Sequence, residues 1–294
     1  MANTIAAGAY NKQAWEAKLS ERLNLPTTWR DVADVRMADL RVINVSYMST
    51  EFSTQTGTRG TAYSFSDFAL TNETLTLSES KYAPVYIDHA DAAQTDYVAQ
   101  MDLAVDQASK LSEDIETAML DDHANWTNVG ISGGVITSGI TTAITVSSTN
   151  IDDIVRGIRR IVIKANGSEL MNRNGLFFVW RPEDLEALEA FAQANGFNLA
   201  DKALKNGIAN GYEFLGATHY VSNSNVSTHV FAGVKKIFKI GILKGTWGKR
   251  YESIDPSNAD GPLSGTGLNA RADFGTLTPT KHATLLYDIN VVAV

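Results

Sequence analysis

The sequence predicts an α+β protein that assembles with copies of itself, and three stretches carry that expectation. An extended polar ribbon runs from Arg41 to Ile87, an amphipathic helix follows from about Asp91 to Asp122, and a second helix-and-strand region opens at Asn150. The ribbon is too polar to bury itself, and a two-stranded ribbon alone is marginal in water, so it must dock on something else. A helix of that length spans about 45 Å, enough to cross a whole domain. Self-assembly is therefore the leading expectation, ahead of catalysis.

Composition narrows the alternatives. With 294 residues and 44% hydrophobic content the chain can bury a sizeable core. A formal net charge of -8 argues against a function driven by general phosphate neutralisation, which needs a basic balance. The chain has no cysteine, which removes disulfides, thiolate metal sites and a cysteine nucleophile. Residues Met1 to Gly8 show neither a basic region nor a long apolar run, so no signal segment and no membrane partner are expected. In a cytosolic chain the sequons at Asn44, Asn72, Asn125, Asn166 and Asn225 carry no meaning.

The elements follow in order. Trp15, Leu19 and Leu23 give a helical pattern stopped by Pro26, within an N-terminal arm over residues 1–40. From Arg41 the period becomes two: Val42, Asn44 and Ser46 alternate with Ile43, Val45 and Tyr47. Ser53 to Thr61 is a polar tip, and extended pattern resumes at Tyr63 and Phe65 and continues through Leu75, Leu77, Val85 and Ile87. The whole reads as a two-armed hairpin with little of its own to pack on. The long helix begins with Asp91 as cap and Gln94 three residues on. Tyr97, Val98, Met101, Ala104, Val105, Ala108, Leu111, Ile115, Ala118 and Met119 form its apolar stripe. Its charges, Asp102, Asp106, Lys110, Glu113, Asp114 and Glu116, are expected to be solvated.

Short strands and turns are expected over Val129 to Ser148. Ile151, Ile154, Val155, Ile158, Ile161 and Val162 then mark a helix, with Asp152 and Asp153 in its first turn and Lys164 near its end. Leu176 to Trp180 is a buried strand, and Pro182 opens a helix through Leu185, Leu188 and Phe191 that stops at Asn195-Gly196. After turns at Asn206-Gly207 and Asn210-Gly211, Tyr212 to Val221 reads as strand, Val230 to Ile242 as another extended stretch, and Ala283 to Val294 as a last strand. The segment Asp255 to Gly267 reads as a loop.

Candidate chemistry is sparse. Gly130-Ile131-Ser132-Gly133-Gly134 matches the G-x-S-x-G elbow of serine hydrolases, but such an elbow needs a strand before the serine and a helix after it. Here a long helix precedes and β-like sequence follows. Asp255 to Gly261 lacks the alternating ligands and final Glu of a calcium loop. His89, His123, His219, His229 and His282 show no paired ligand spacing, and Asp88-His89-Ala90-Asp91 is explained by a turn and helix cap. No phosphate-binding glycine loop is present. One basic cluster stands out: Lys235, Lys236, Lys239, Lys244, Lys249 and Arg250 face either packaged nucleic acid, an acidic neighbouring subunit or solvent.

The order of these parts resembles the major capsid proteins of tailed phages with the Hong Kong 97-like fold. The resemblance runs from about Arg41 onward and rests on four passages. These are Ala83-Pro84-Val85-Tyr86-Ile87-Asp88-His89-Ala90-Asp91-Ala92-Ala93-Gln94 with Ile115-Glu116, Phe178-Val179-Trp180-Arg181-Pro182 with Leu185, Asn206-Gly207-Ile208 with Phe214-Leu215-Gly216, and Tyr220-Val221-Ser222-Asn223. It implies an extended loop over 41–82, a peripheral domain with spine helix over 83–149, an axial domain over 150–244, and return strands of the peripheral domain over 245–294. It further implies hexamers and pentamers of an icosahedral shell enclosing double-stranded DNA without sequence-specific contacts. A portal and a separate scaffolding protein would be partners, because few residues precede the ribbon. The expected setting is the virion capsid, with assembly in the host cytoplasm. No catalytic residue, cofactor or metal is implied. Intersubunit contact would fall on Glu51, Arg59, Tyr63, Phe65 and Phe68. The founding member joins a loop lysine to a neighbour's asparagine, yet no lysine stands between Arg41 and Ser80 and Lys81 lies only at the base, so no cross-link is expected. An encapsulin-like nanocompartment shell shares the resemblance; a serine hydrolase using Ser132 is the remaining alternative.

Overall fold

The computed structural model describes residues 15–25, 27–48, 55–60, 62, 69–88, 97–194, 210–225, 228–247, 250–253, 257–258, 261–262 and 265–292. Helix α1 (15–23) and the short α2 (Thr28–Val32) lead into β1 (Asp34–Ala38). The ribbon strands are β2 (Val42–Met48) and β3 (Leu70–Thr76), and β4 (Glu79–Asp88) precedes the long helix α3 (Tyr97–Asp121). A 3-10 turn (Asp122–Asn125) and the hairpin β5 (Thr127–Ser132) and β6 (Val135–Ser138) follow. Next come α4 (Ile151–Lys164), α5 (Ser168–Asn174), β7 (Leu176–Trp180) and α6 (Leu185–Ala194). The remainder is β8 (Asn210–Phe214), β9 (Ala217–Val221), β10 (His229–Val234), β11 (Lys239–Leu243), β12 (Arg250–Ser253), the short pair β13 (Ser257–Asn258) and β14 (Gly261–Pro262), β15 (Gly265–Leu277), a 3-10 helix (Thr280–Leu285) and β16 (Leu286–Asn290).

Two sheets organise the chain. A seven-stranded sheet runs β6-β5-β16-β10-β7-β9-β8, and β7, buried at every position, lies near its centre as a continuous apolar strand should. Helix α4 packs on this sheet through Ile151, Ile154, Val155, Ile158, Ile161 and Val162, the face given by three- and four-residue spacing. Gly157 sits on the same face because a Cβ there would lie 2.8 Å from the Ile136 Cβ of β6.

The second sheet is built around β15. Strand β4 pairs along it from Glu79↔Phe274 to Asp88↔Gly265, while β11 and β12 share its other edge and β1 adds in parallel to β11. Helix α3 lies across β4 and β15 and buries Ala104, Ala108, Leu111, Ile115, Met119 and Leu120. Its Gln107 Nε2 donates to the Ala83 carbonyl of β4 at 2.7 Å. Most buried side chains of both sheets form one apolar core.

Several expectations change. Residues 79–88 are not part of a free ribbon; they form the β15 partner. Asp255 to Gly267 is not simply a loop, because β15, thirteen residues long, already begins at Gly265. Tyr212 to Val221 is a hairpin, its two strands joined by Leu215 (φ 51) and Gly216 (φ 73), the left-handed pair of a tight hairpin turn. Val230 to Ile242 breaks at Lys236 (φ 65), so β10 enters one sheet and β11 the other. The sheets also draw strands from both sides of the boundaries expected at 150 and 244: β5, β6 and the late β16 join the strands of 176–234, and β11 joins β15. The helix cap at Asp91 and Gln94, the stop at Asn195-Gly196 and the Asn206-Gly207 turn lie outside the described residues.

Candidate functional site

The ribbon is the first candidate, and its geometry begins with its own register. Strands β2 and β3 pair from Val42↔Thr76 to Met48↔Leu70. The alternation then decides the faces: Asn44, Ser46, Asn72 and Thr74 are exposed, while Val45 and Leu75 are buried. Ser46 Oγ donates to Asn72 Oδ1 at 3.0 Å across the exposed face. The other face is docked on the chain's own second sheet, which corrects the expectation of a ribbon with little to pack on. Val45, Leu75 and Leu77 make a small separate core with Ile43, Ala38, Leu243 and Leu277.

Polar contacts fix the base and the side of the ribbon. Leu77 N donates to the Arg41 carbonyl at 2.8 Å and closes the base. Asp273, fully buried in β15, accepts from Ser80 Oγ at 2.7 Å and from Arg271 Nε at 2.7 Å, and Arg41 Nη2 reaches it at 3.4 Å. Burying a carboxylate is costly without such hydrogen-bond partners. Further along, Tyr47 Oη donates to Glu73 Oε1 at 2.6 Å, Thr280 N donates to the same oxygen at 3.1 Å, and Lys281 Nζ donates to the Met48 carbonyl at 2.7 Å. Apolar residues remain open beside these anchors, with Leu40 75%, Leu70 62% and Val42 51% exposed. The tip residues 55–60 are exposed, Arg59 among them. Glu51, Tyr63, Phe65 and Phe68 lie outside the described residues.

Four lysines of the basic cluster have partners within their own chain, while Lys236 and Lys244 keep an exposed surface as a solvated face would. Lys235 Nζ lies 2.6 Å from Asp31 Oδ2 and 3.1 Å from the Tyr220 hydroxyl. Lys236 Nζ donates to the carbonyls of Arg30 at 2.6 Å and Ala33 at 3.0 Å. Lys239 Nζ meets Asp34 Oδ2 at 2.6 Å, and Lys244 Nζ meets Asp39 Oδ2 at 3.4 Å. These four lysines thus clamp residues 30–39 along the sheet edge. Burial alone would raise the Asp34 carboxyl, but Lys239 and Arg36 hold it below the usual carboxylate range. Burial lowers Lys236, with Asp31 and Asp34 opposing. Lys249 and the side chain of Arg250 lie outside the described residues.

Glu116 of α3 is half-buried and partnered, not freely solvated as expected. It accepts a short hydrogen bond from Ser222 Oγ, just beyond β9, and so ties the long helix to the seven-stranded sheet. Burial pushes its carboxyl above the ordinary value against that hydrogen bond.

Ser132 does not stand on an elbow. It ends β5 at a hairpin turn made by Gly133 (φ 56) and Gly134 (φ 77), and another strand follows it. Gly130 serves packing: a Cβ there would lie 2.4 Å from the Thr142 carbonyl. The motif is a tight hairpin beside a crossing loop, and the hydrolase reading has no geometry behind it.

One cluster escaped sequence reasoning altogether. His123 Nδ1 lies 3.0 Å from Asp288 Oδ2, and His229 Nδ1 lies 2.6 Å from Asp288 Oδ1. The three residues are far apart in the chain, so no local spacing signals them. Asp88-His89-Ala90-Asp91 falls almost wholly outside the described residues.

No protein-family model matches the chain, and no curated protein matches it. Solved structures do match over most of its length. The capsid of an empty GTA particle aligns with TM-score 0.60 at 14% identity, covering 92% of this chain and 91% of its own. A structure from Mycobacterium phage Che8 aligns at TM-score 0.57 and 16% identity over 85% and 84% of the two chains. A virus-like particle from Pyrococcus furiosus aligns at TM-score 0.57 and 8% identity over 95% and 98%. With the hairpin, the long helix across β4 and β15 and the second sheet already described, these likenesses establish the fold. It is the α+β capsid fold of the Hong Kong 97-like type.

Proposed function

We propose that this chain is the major capsid protein of a tailed phage, a structural and non-enzymatic subunit that assembles into hexamers and pentamers of an icosahedral shell around double-stranded DNA. The observation that carries the reading is the anchored ribbon. Its inner face is fixed to its own sheet, while exposed Leu40, Val42, Leu70 and the tip at 55–60 remain for a neighbour. A second subunit would cover the apolar side chains that the ribbon's own sheet leaves open.

In this reading α3 and the β15 sheet form the peripheral domain, and the seven-stranded sheet with α4 forms the axial domain. Contacts by Glu51, Arg59, Tyr63, Phe65 and Phe68 hold neighbours without a covalent link. The four clamping lysines serve first to hold residues 30–39 of their own subunit. A separate scaffolding protein and a portal complete the assembly in the host cytoplasm, and the finished subunit resides in the virion capsid. The test is removal of Ser53 to Thr61. The shortened chain should fold, with an unchanged circular-dichroism spectrum, and assemble poorly; normal shells from it would overturn the proposal. A shell holding a co-purified enzyme in place of DNA would favour a nanocompartment instead.

A further inference from the structure

Three elements that are distant in sequence converge on one carboxylate. His123 lies in the 3-10 turn that ends α3, His229 opens β10, and Asp288 sits in the neighbouring β16, paired with β10 through Phe231↔Asp288. One ligand atom from each of the three residues, a ring nitrogen of either histidine and a carboxylate oxygen, lies within 4.8 Å of the other two. Asp288 is buried, with 4% of its side chain exposed, while the His123 and His229 side chains retain 25% and 17%. The rings are 4.7 Å apart and pack against Phe231, which His229 stacks on at an interplanar angle of 5°.

We propose that His123, His229 and Asp288 form a binding site for one divalent transition-metal ion of the zinc class, with water completing the coordination. Two imidazoles and a carboxylate make a donor set suited to Zn²⁺, Co²⁺ or Cu²⁺ and poorly suited to Mg²⁺ or Ca²⁺, which take oxygen ligands. Metal–ligand bonds of about 2.0–2.2 Å in tetrahedral array place donor atoms roughly 3.3 Å apart. Each Nδ1 already lies 2.6–3.0 Å from an Asp288 oxygen and the ligand atoms of all three residues fall within 4.8 Å of one another, so side-chain shifts can bring them to that spacing. Without metal, each neutral ring can donate its Nδ1 proton to Asp288. With metal, the proton moves to Nε2 and Nδ1 becomes a ligand, so the rings stay neutral. The partly exposed rings leave the ion an entrance and a coordination position for water. Such an ion would staple the end of the long helix, which lies on the β15 sheet, to two adjacent strands of the other sheet.

The experiment uses the full chain, stripped with a chelator and titrated with Zn²⁺ by calorimetry at neutral pH. One saturable equivalent per chain is expected, with a rise in melting temperature on saturation and, with Co²⁺, a visible absorption band. His123→Gln and His229→Gln keep a polar amide beside Asp288 and should still fold. Each should weaken binding by at least the roughly tenfold to hundredfold typical of losing even an outer-shell partner. His282→Gln, outside the cluster, should bind as the parent does. No saturable zinc binding by the parent, or unchanged binding by both glutamine variants, would overturn the assignment.

Discussion

Gly241 of β11 and Gly275 of β15 stand directly opposite each other in the antiparallel ladder. Together they open a flat place in the sheet, and the ribbon occupies it. A Cβ on Gly275 would lie 2.1 Å from the Thr76 carbonyl oxygen; one on Gly241 would lie 2.5 Å from Leu77 Cδ2 and 2.9 Å from Ile43 Cδ1. The glycines are therefore required by close approach, and they connect the shape of the sheet to the placement of the candidate assembly element.

The obstacle differs between the two positions, which orders their substitutions. Gly275→Ala pushes against backbone and must displace the ribbon, with an expected loss of about 1–3 kcal/mol and poor assembly. Gly241→Ala meets the ends of flexible side chains and should cost less. Urea unfolding of both unassembled variants checks this; an equal or reversed order would show that the ribbon does not rest on these strands.

A buried ion pair offers a second test. Arg181 grips Asp184 with Nε at 2.9 Å and Nη2 at 2.8 Å, and its Nη1 donates to the Val292 carbonyl at 3.0 Å. Both side chains are almost wholly buried. Asp184→Ala should cost about 3–5 kcal/mol because it takes the carboxylate away from a buried guanidinium charge, while Arg181→Met with Asp184→Leu should lose much less. Thermal unfolding of the single and double variants gives the coupling, and additive losses would argue against the pair acting as a unit.

Stability should also depend on pH through His219. Its Nδ1 accepts from Trp180 Nε1 at 2.9 Å, so the neutral ring donates Nε2–H to the Phe214 carbonyl at 3.2 Å. Burial lowers its pKa from 6.5 to about 3, against the Phe214 hydrogen bond. Above pH 6.5 folded and unfolded rings are both neutral and no penalty arises. As pH falls from 6.5 toward 3 the unfolded state takes up a proton that the folded state refuses, so stability drops by about 1.4 kcal/mol per pH unit. His219→Phe, less stable overall because Trp180 loses its acceptor, should show a slope shallower by about one proton between pH 6 and 4.5. An unchanged slope would mean that His219 takes its proton in the fold.

The parts that were legible in the sequence are those whose own side chains set the pattern. Helix α4 shows its buried stripe at three- and four-residue spacing with Asp152 and Asp153 at the start, and β7 is apolar throughout. Strand β15 was hidden because small and charged residues interrupt its apolar pattern. Ala270, Ala272 and Gly275 have weak strand preference, yet they are buried beneath α3 and the ribbon, where close packing excludes larger side chains. The break at Lys236 was invisible because only its left-handed backbone, and not its composition, separates β10 from β11. The lysine cluster was visible as charge, but its partners Asp31, Asp34 and Asp39 lie some two hundred positions earlier. The His123, His229 and Asp288 cluster exists only once β10 and β16 pair.

The central claim is that this chain builds shells, and negative-stain electron microscopy of the expressed full chain tests it most directly. Closed particles of uniform curvature, or free rings of five and six subunits, are expected. A protein that remains strictly monomeric across concentration and ionic strength, with no rings or shells in any field, would contradict it.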